Sequence, residues 1–156
     1  MYSNELICQI LDFIDENINR KITIEEISNK FYYNRYYIMK LFKREIGFTI
    51  LDYINKIRIY NAMFVIKSYS YSLTKVALMN GFYSLEYFSE TFNNVVGVSP
   101  SIFKSYCKYN FTKKENDLIK IIDSWTNLQV LVEFIRKYKK NKKPRILPVL
   151  KRSIFN

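Results

Sequence analysis

An all-α fold built from two copies of one helix-turn-helix unit is what this sequence predicts, on three observations. The 156 residues contain only three glycines and three prolines, too few turn formers for a hairpin-rich sheet or barrel. Apolar residues recur at helical spacing behind residues suited to cap helix starts. The chain also superposes on itself at an offset of fifty, with Ile38 on Phe88, Phe42 on Phe92, Gly47 on Gly97, Thr49 on Ser99 and Tyr53 on Phe103, and with the cap residues Asn34 and Ser84 coinciding as well.

The first unit, about residues 22–48, opens on the capping box Thr23-x-x-Glu26 with Ile22 and Ile27 flanking it as a staple, so a helix starts at Ile24. Ile24, Ile27 and Phe31 follow at helical spacing. The chain turns through Phe31 to Asn34, and a second helix runs from about Arg35 to Ile46 on a core face of Ile38, Leu41 and Phe42. Gly47 ends it as the residue that tolerates a left-handed backbone. Between the units, about 50–68, no breaker interrupts the apolar spacing, which predicts one long linker helix.

The second unit, about residues 72–98, starts at the candidate cap Ser72, where Lys75 stands in the place a capping box gives to Glu. Val76 and Ala77 are its apolar positions, the turn falls around Asn80 to Tyr83, and the next helix runs from about Leu85 to Val95. Phe31, Phe42, Phe82, Phe88 and Phe92 read as core by spacing rather than as base-stacking groups. Tyr32, Tyr33, Tyr36 and Tyr37 crowd a single turn that cannot bury four rings, so some of them are exposed.

Composition narrows the function. No window reaches the roughly 18 uninterrupted apolar residues of a membrane span, and the N-terminus is acidic where a signal peptide is basic, so a cytoplasmic protein is expected. The chain has no histidine and two cysteines, Cys8 and Cys107, without metal-ligand spacing. These features disfavour catalysis and predict no metal and no cofactor. The net charge of +11 points to a polyanionic partner. It is unevenly spread: residues 1–109 hold 13 Lys and Arg against 10 Asp and Glu, whereas residues 134–156 hold nine and none.

Residues 6–108 resemble the DNA-binding domain of the AraC/XylS family of transcription regulators. The resemblance rests on Thr23-Ile24-Glu25-Glu26-Ile27, on Leu41-Phe42-Lys43 with Gly47, on Ile57-Arg58 with Ala62, and above all on Gly81-Phe82, Tyr87-Phe88-Ser89, Phe92, Gly97 and Ser99-Pro100. It implies a seven-helix domain, residues 1–109, whose two recognition helices enter successive major-groove segments of double-stranded DNA about 34 Å apart. A single chain then reads a bipartite site as a monomer. By position, the resemblance assigns Tyr36, Met39 and Lys40 of the first unit to bases, with Asn34 as cap and Arg35, Lys43 and Arg44 nearer phosphates. In the second unit it assigns Leu85, Glu86, Tyr87 and Glu90, behind the cap Ser84.

The two sets differ in chemistry. The first carries cations, although Lys40, Lys43 and Arg44 also fit a plain solvated face. The second has no cation between Lys75 and Lys104. Glu90 departs from the basic residue the family often carries there, and Asn93 stands where it often has Lys. Glu86 and Glu90 repel phosphates but are able to accept from a cytosine amino group; Glu86 equally suits the first turn of a helix as a dipole partner. The first unit is expected to anchor, and the second to discriminate or stay silent.

Beyond the resemblance, residues 110–140 carry Leu118, Ile121 or Ile122, Trp125, Leu128, Val132 and Ile135 at spacings of three and four. That is an amphipathic helix, or two broken near Thr126 and Asn127. Docking on the body is one fate for its stripe; a dimer through 114–140, or a partner such as RNA polymerase or another regulator, are the others. The basic run Arg136, Lys137, Lys139, Lys140, Lys142, Lys143 and Arg145 is too charged to fold alone and continues into an extended tail, 141–156. It reads as a nonspecific phosphate-binding arm, against a membrane-surface or solubilising role. With nothing before residue 6 and so short a tail, a stand-alone regulator without a ligand-sensing domain is expected. The competing reading is a protein-interaction module with a degenerate second unit.

Overall fold

The computed structural model describes residues 2–109 and 115–140. It contains eight helices in the order α1 (Tyr2–Asn17), α2 (Ile24–Phe31), α3 (Arg35–Ile46), α4 (Ile50–Ser68), α5 (Leu73–Met79), α6 (Leu85–Val96), α7 (Pro100–Tyr109) and α8 (Glu115–Tyr138). Among the described residues there is no strand, as the scarcity of turn residues predicts.

Local chemistry sets the helix starts. Thr23 Oγ1 accepts from Glu26 N at 3.1 Å, Asn34 Oδ1 from Tyr36 N at 2.8 Å, Thr49 Oγ1 from Asp52 N at 3.1 Å, Ser72 Oγ from Lys75 N at 3.2 Å and Ser84 Oγ from Tyr87 N at 3.1 Å. Each satisfies one of the four amide groups a helix start leaves unpaired. Both recognition helices end on a left-handed glycine, Gly47 at φ 89° and Gly97 at φ 87°.

The units pack on the linker helix. Buried Ile38, Phe42 and Ile46 of α3 and Phe88, Phe92 and Val96 of α6 meet Tyr53, Ile54, Ile57, Ile59 and Met63 of α4 in one continuous core. That helix buries residues all around its circumference, as a helix enclosed by others must. The N-terminal helix α1, which the repeat did not single out, adds Ile7, Ile10, Leu11 and Ile14 at helical spacing.

The C-terminal helix α8 is continuous through Thr126 and Asn127; Thr126 Oγ1 bonds back to Ile122 O at 2.9 Å without breaking it. It docks on the body, along α4 and α6. Trp125 sits against Tyr60 and Phe64 at centroid distances of 5.1 and 4.9 Å, which is where the predicted apolar stripe goes. Its last turn reaches the first unit, where the Tyr138 hydroxyl donates to Glu45 of α3 at 3.4 Å.

The basic run differs from expectation at its start. Arg136 and Lys137 are the last-turn cations of α8, inside the helical segment expected over 110–140, although the run read as too charged to fold alone. Lys139 is buried, its ammonium 2.9 Å from Asp12 and 2.6 Å from Asp15 of α1, so it is no part of a solvated arm. The reason is tertiary: α8 delivers it onto the acidic side of α1, where two carboxylates replace its water. Burial outweighs Lys139 at Asp15 and pushes that carboxyl from 3.8 up to about 6. At Lys139 burial works against the charge, but the two aspartates leave the amine above its usual value. Lys140 is exposed, and Lys142, Lys143 and Arg145 lie outside the described residues.

Candidate nucleic-acid interface

Recognition helix α3 divides its residues cleanly. Ile38, Leu41, Phe42 and Ile46 are buried, whereas Arg35, Tyr36, Tyr37, Met39, Lys40, Lys43 and Arg44 are exposed. Tyr36 is 65% and Met39 47% exposed, unusual for side chains of their size unless a partner covers them. Tyr36, Met39, Lys40 and Lys43 line a cleft of about 720 Å³ together with Ile22 and Leu51. All the residues the sequence assigned to the first unit are therefore exposed, and four of them share this cleft.

Three of them have neighbours that fix them. Arg35 lies over the Tyr36 ring at 4.8 Å and donates to its hydroxyl at 2.8 Å. It also faces Glu25 at 3.4 Å. Arg44 pairs with Glu45 at 2.9 Å; both pairs are solvent-exposed and worth less than about 1 kcal/mol. All four tyrosines of the turn are exposed, Tyr32 in the left-handed region at φ 59°. An ordinary side chain there is uncommon, and its ring projects into solvent.

The second unit repeats the backbone and changes the surface. Glu86 and Glu90 of α6 are exposed, as expected. Leu85 and Tyr87, expected to face bases, are half-buried: both pack against the core, and Asn55 of α4 donates to the Tyr87 hydroxyl at 3.0 Å. The linker helix thus holds the Tyr87 hydroxyl in place. Sequence reasoning passed over Tyr83, the residue before the cap, which is 80% exposed and stacked on Tyr87 at 5.0 Å. The offset of fifty was the available signal, because Tyr33 stacks on Tyr37 at 5.5 Å in the equivalent place.

A further link holds the units in register. Buried Arg58 of α4 donates through Nε to Ile18 O at 2.9 Å and through Nη2 to Arg20 O at 2.6 Å, and faces the Phe82 ring at 5.8 Å. Gly81 packs beneath the same segment at φ 82°. A Cβ there would come within 2.6 Å of Ile18 O, so glycine is required on both steric and conformational grounds.

Among the described residues no group of His, Cys, Asp and Glu is placed to hold a metal, and no helix is long and apolar enough to cross a membrane.

Two recognition-type helices, each preceded by a shorter helix and joined by a linker that packs on both, define a double helix-turn-helix protein. A family model described as a helix-turn-helix domain matches residues 27–105. The chain belongs to that family, the AraC/XylS-type transcription regulators. The melibiose operon regulatory protein of Escherichia coli is 32% identical over 98 residues, 63% of this chain and 32% of the relative. Similar folds include an AraC-type transcriptional regulator from Chromobacterium violaceum, at 21% identity and TM-score 0.61, covering 70% of this chain and 97% of that one. The DNA-binding domain of AdpA, solved in complex with a target DNA, matches at 18% identity and TM-score 0.63, covering 69% and 97%. The chain spans about a third of the length of the curated relatives it first matches, 39% of one from Bacillus subtilis and 32% of the melibiose regulator.

Proposed function

We propose that this chain binds double-stranded DNA in the cytoplasm as a non-enzymatic transcription regulator, with α3 and α6 in two successive major-groove segments. Residues 1–109 are the DNA-binding domain of this reading, 110–140 an extension that braces it, and 141–156 a basic tail. The observation that carries the reading is the α3 face. Tyr36, Met39, Lys40, Lys43 and Arg44 are all exposed on a helix whose other side is buried, so the cations and the large polarizable groups point the same way. Lys40 suits guanine O6 and N7, and Lys43 and Arg44 suit phosphates.

Selection of bound sequences from a random duplex pool tests it. Two conserved blocks about one helical turn apart are expected, roughly 34 Å between centres; one block means that α6 is silent. Lys40→Ala is expected to cost about 1 to 3 kcal/mol at one base position. A loss spread evenly over all sequences recasts it as a phosphate contact.

A second reading is favoured by Glu86 and Glu90, exposed on a recognition helix that has no cation. Under it the second unit serves another regulator or RNA polymerase. Binding to random duplex separates the two: a DNA binder loses affinity with salt at a log-log slope of about −0.9 per phosphate contacted, and a protein-interaction module shows no such binding.

A further inference from the structure

The recognition helix of the second unit has no cation of its own, yet the fold brings one close to it. Residues 18–21, between α1 and α2, are clamped to the turn of the second unit by Arg58 and by the close approach at Gly81. The result is a cleft of about 580 Å³ whose lining includes Lys21, Tyr83 and Tyr87.

This cleft shares Ile22 and Leu51 with the one beside Tyr36, Met39 and Lys40. The two clefts are therefore neighbours that meet at Ile22 and Leu51, and the first of them is lined by the recognition helix α3. Leu51 is 60% exposed where they meet. A duplex whose successive major-groove segments take α3 and α6 must run its sugar-phosphate backbone between them, and the second cleft joins the two: it is lined by Tyr83 and Tyr87 at the start of α6 and shares Ile22 and Leu51 with the cleft beside α3.

The groups in the cleft are sorted. Arg20 is spent on Glu26 and on Lys21 O, the latter at 2.8 Å, and Arg58 on the carbonyls of Ile18 and Arg20. The Tyr87 hydroxyl is held by Asn55. Among the described residues the Lys21 ammonium and the Tyr83 hydroxyl have no such partner, and both residues are exposed. Stacking on Tyr87 fixes the Tyr83 ring without burying it.

Resting on the DNA-binding reading above, we propose that Lys21 and Tyr83 form a seat for a DNA backbone phosphate between the two recognition helices, the first as a cation and the second as a neutral donor. The contact carries no base information. It fixes the second unit on the duplex, which α6 with its two glutamates does not do by charge.

The test is a titration of the full chain against a selected duplex in increasing salt, with Lys21→Ala, Tyr83→Phe and the wild type side by side. Lys21→Ala is expected to weaken binding several-fold on every sequence and to lower the salt slope by about 0.9, one phosphate contact. Tyr83→Phe keeps the stacked ring and is expected to weaken binding with the slope unchanged. A parallel scan places single uncharged methylphosphonate linkages between the half-sites. One position is expected to weaken the wild type and to leave Lys21→Ala indifferent. Wild-type binding that neither substitution alters, or a scan in which Lys21→Ala stays as sensitive as the wild type, overturns the seat and leaves the DNA reading intact. Failure of the wild type to bind any duplex overturns both.

Discussion

The first helix-turn-helix unit and the second are the same object in backbone and different objects in surface. Each has a twelve-residue recognition helix, capped by Asn34 or Ser84 and closed by a glycine near φ 90°. Each seats a fully buried phenylalanine, Phe42 or Phe92, on the shared core. Each stacks a tyrosine pair across the helix start. On the solvent face, α3 presents Lys40, Lys43 and Arg44 where α6 presents Glu90, Asn93 and Asn94. The difference teaches where the constraint lies. Caps, left-handed glycines and core rings each cost a kilocalorie or more to change, on the order of 1 to 5 kcal/mol, whereas exposed side chains change within about 0.5 kcal/mol. Two copies of one unit are free to diverge only on the surface, and the surface is what a partner reads.

The comparison is broken first at the cores. Phe42→Ala and Phe92→Ala are each expected to lose about 3 to 5 kcal/mol in urea denaturation. A much smaller loss for Phe92→Ala would mean that the second core has relaxed along with its surface.

Charge sharpens it next. Glu90→Lys gives α6 the cation it lacks and is expected to tighten binding to random duplex, steepening the salt slope by about 0.9. An unchanged slope would place Glu90 away from the phosphates. The caps then test local equivalence, since Asn34→Ala and Ser84→Ala are each expected to cost about 1 kcal/mol in thermal or chemical unfolding. A near-zero cost at one of them would show that its helix start is held by packing instead.

The smallest effect concerns how α8 braces the two halves. It lies along α4 and α6, and at its end it reaches the first half through Tyr138 and the Lys139 pair with Asp12 and Asp15. Because the folded Asp15 carboxyl keeps its proton up to about pH 6, against 3.8 ordinarily, this group favours the folded state most below about pH 4. That contribution fades as the pH rises towards 6. Melting temperatures of wild type and Asp15→Asn compared at pH 4 and pH 7 report it: the substitution is expected to flatten that part of the pH dependence, and parallel curves would show that the carboxyl titrates normally.

Much of the fold was legible because its signals are local. A cap bonds an amide two or three residues ahead, a helical stripe repeats within a few residues, and a glycine at a helix end answers to its own φ. Thr23, Asn34, Ser84 and Gly47 accordingly stand where the sequence placed them, and so do the α3 cations on their open face. The α1 stripe was equally readable, but the repeat drew the eye past it.

Other features depend on residues far apart in the chain. Tyr87 faces α4 because Asn55 reaches it across 32 residues. Lys139 is buried because α8 folds back onto aspartates some 124 residues earlier, so a cation that reads as solvated is enclosed. Lys21 stands on the second unit because Arg58 ties its loop there, 40 residues from Ile18. By itself the sequence determined the helices, their ends and the two-fold repeat, since those follow from short-range geometry and periodic burial. Only the tertiary structure decided which charges remain on the surface and which unit each one serves, because a side chain's charge acts on whatever the fold brings near it.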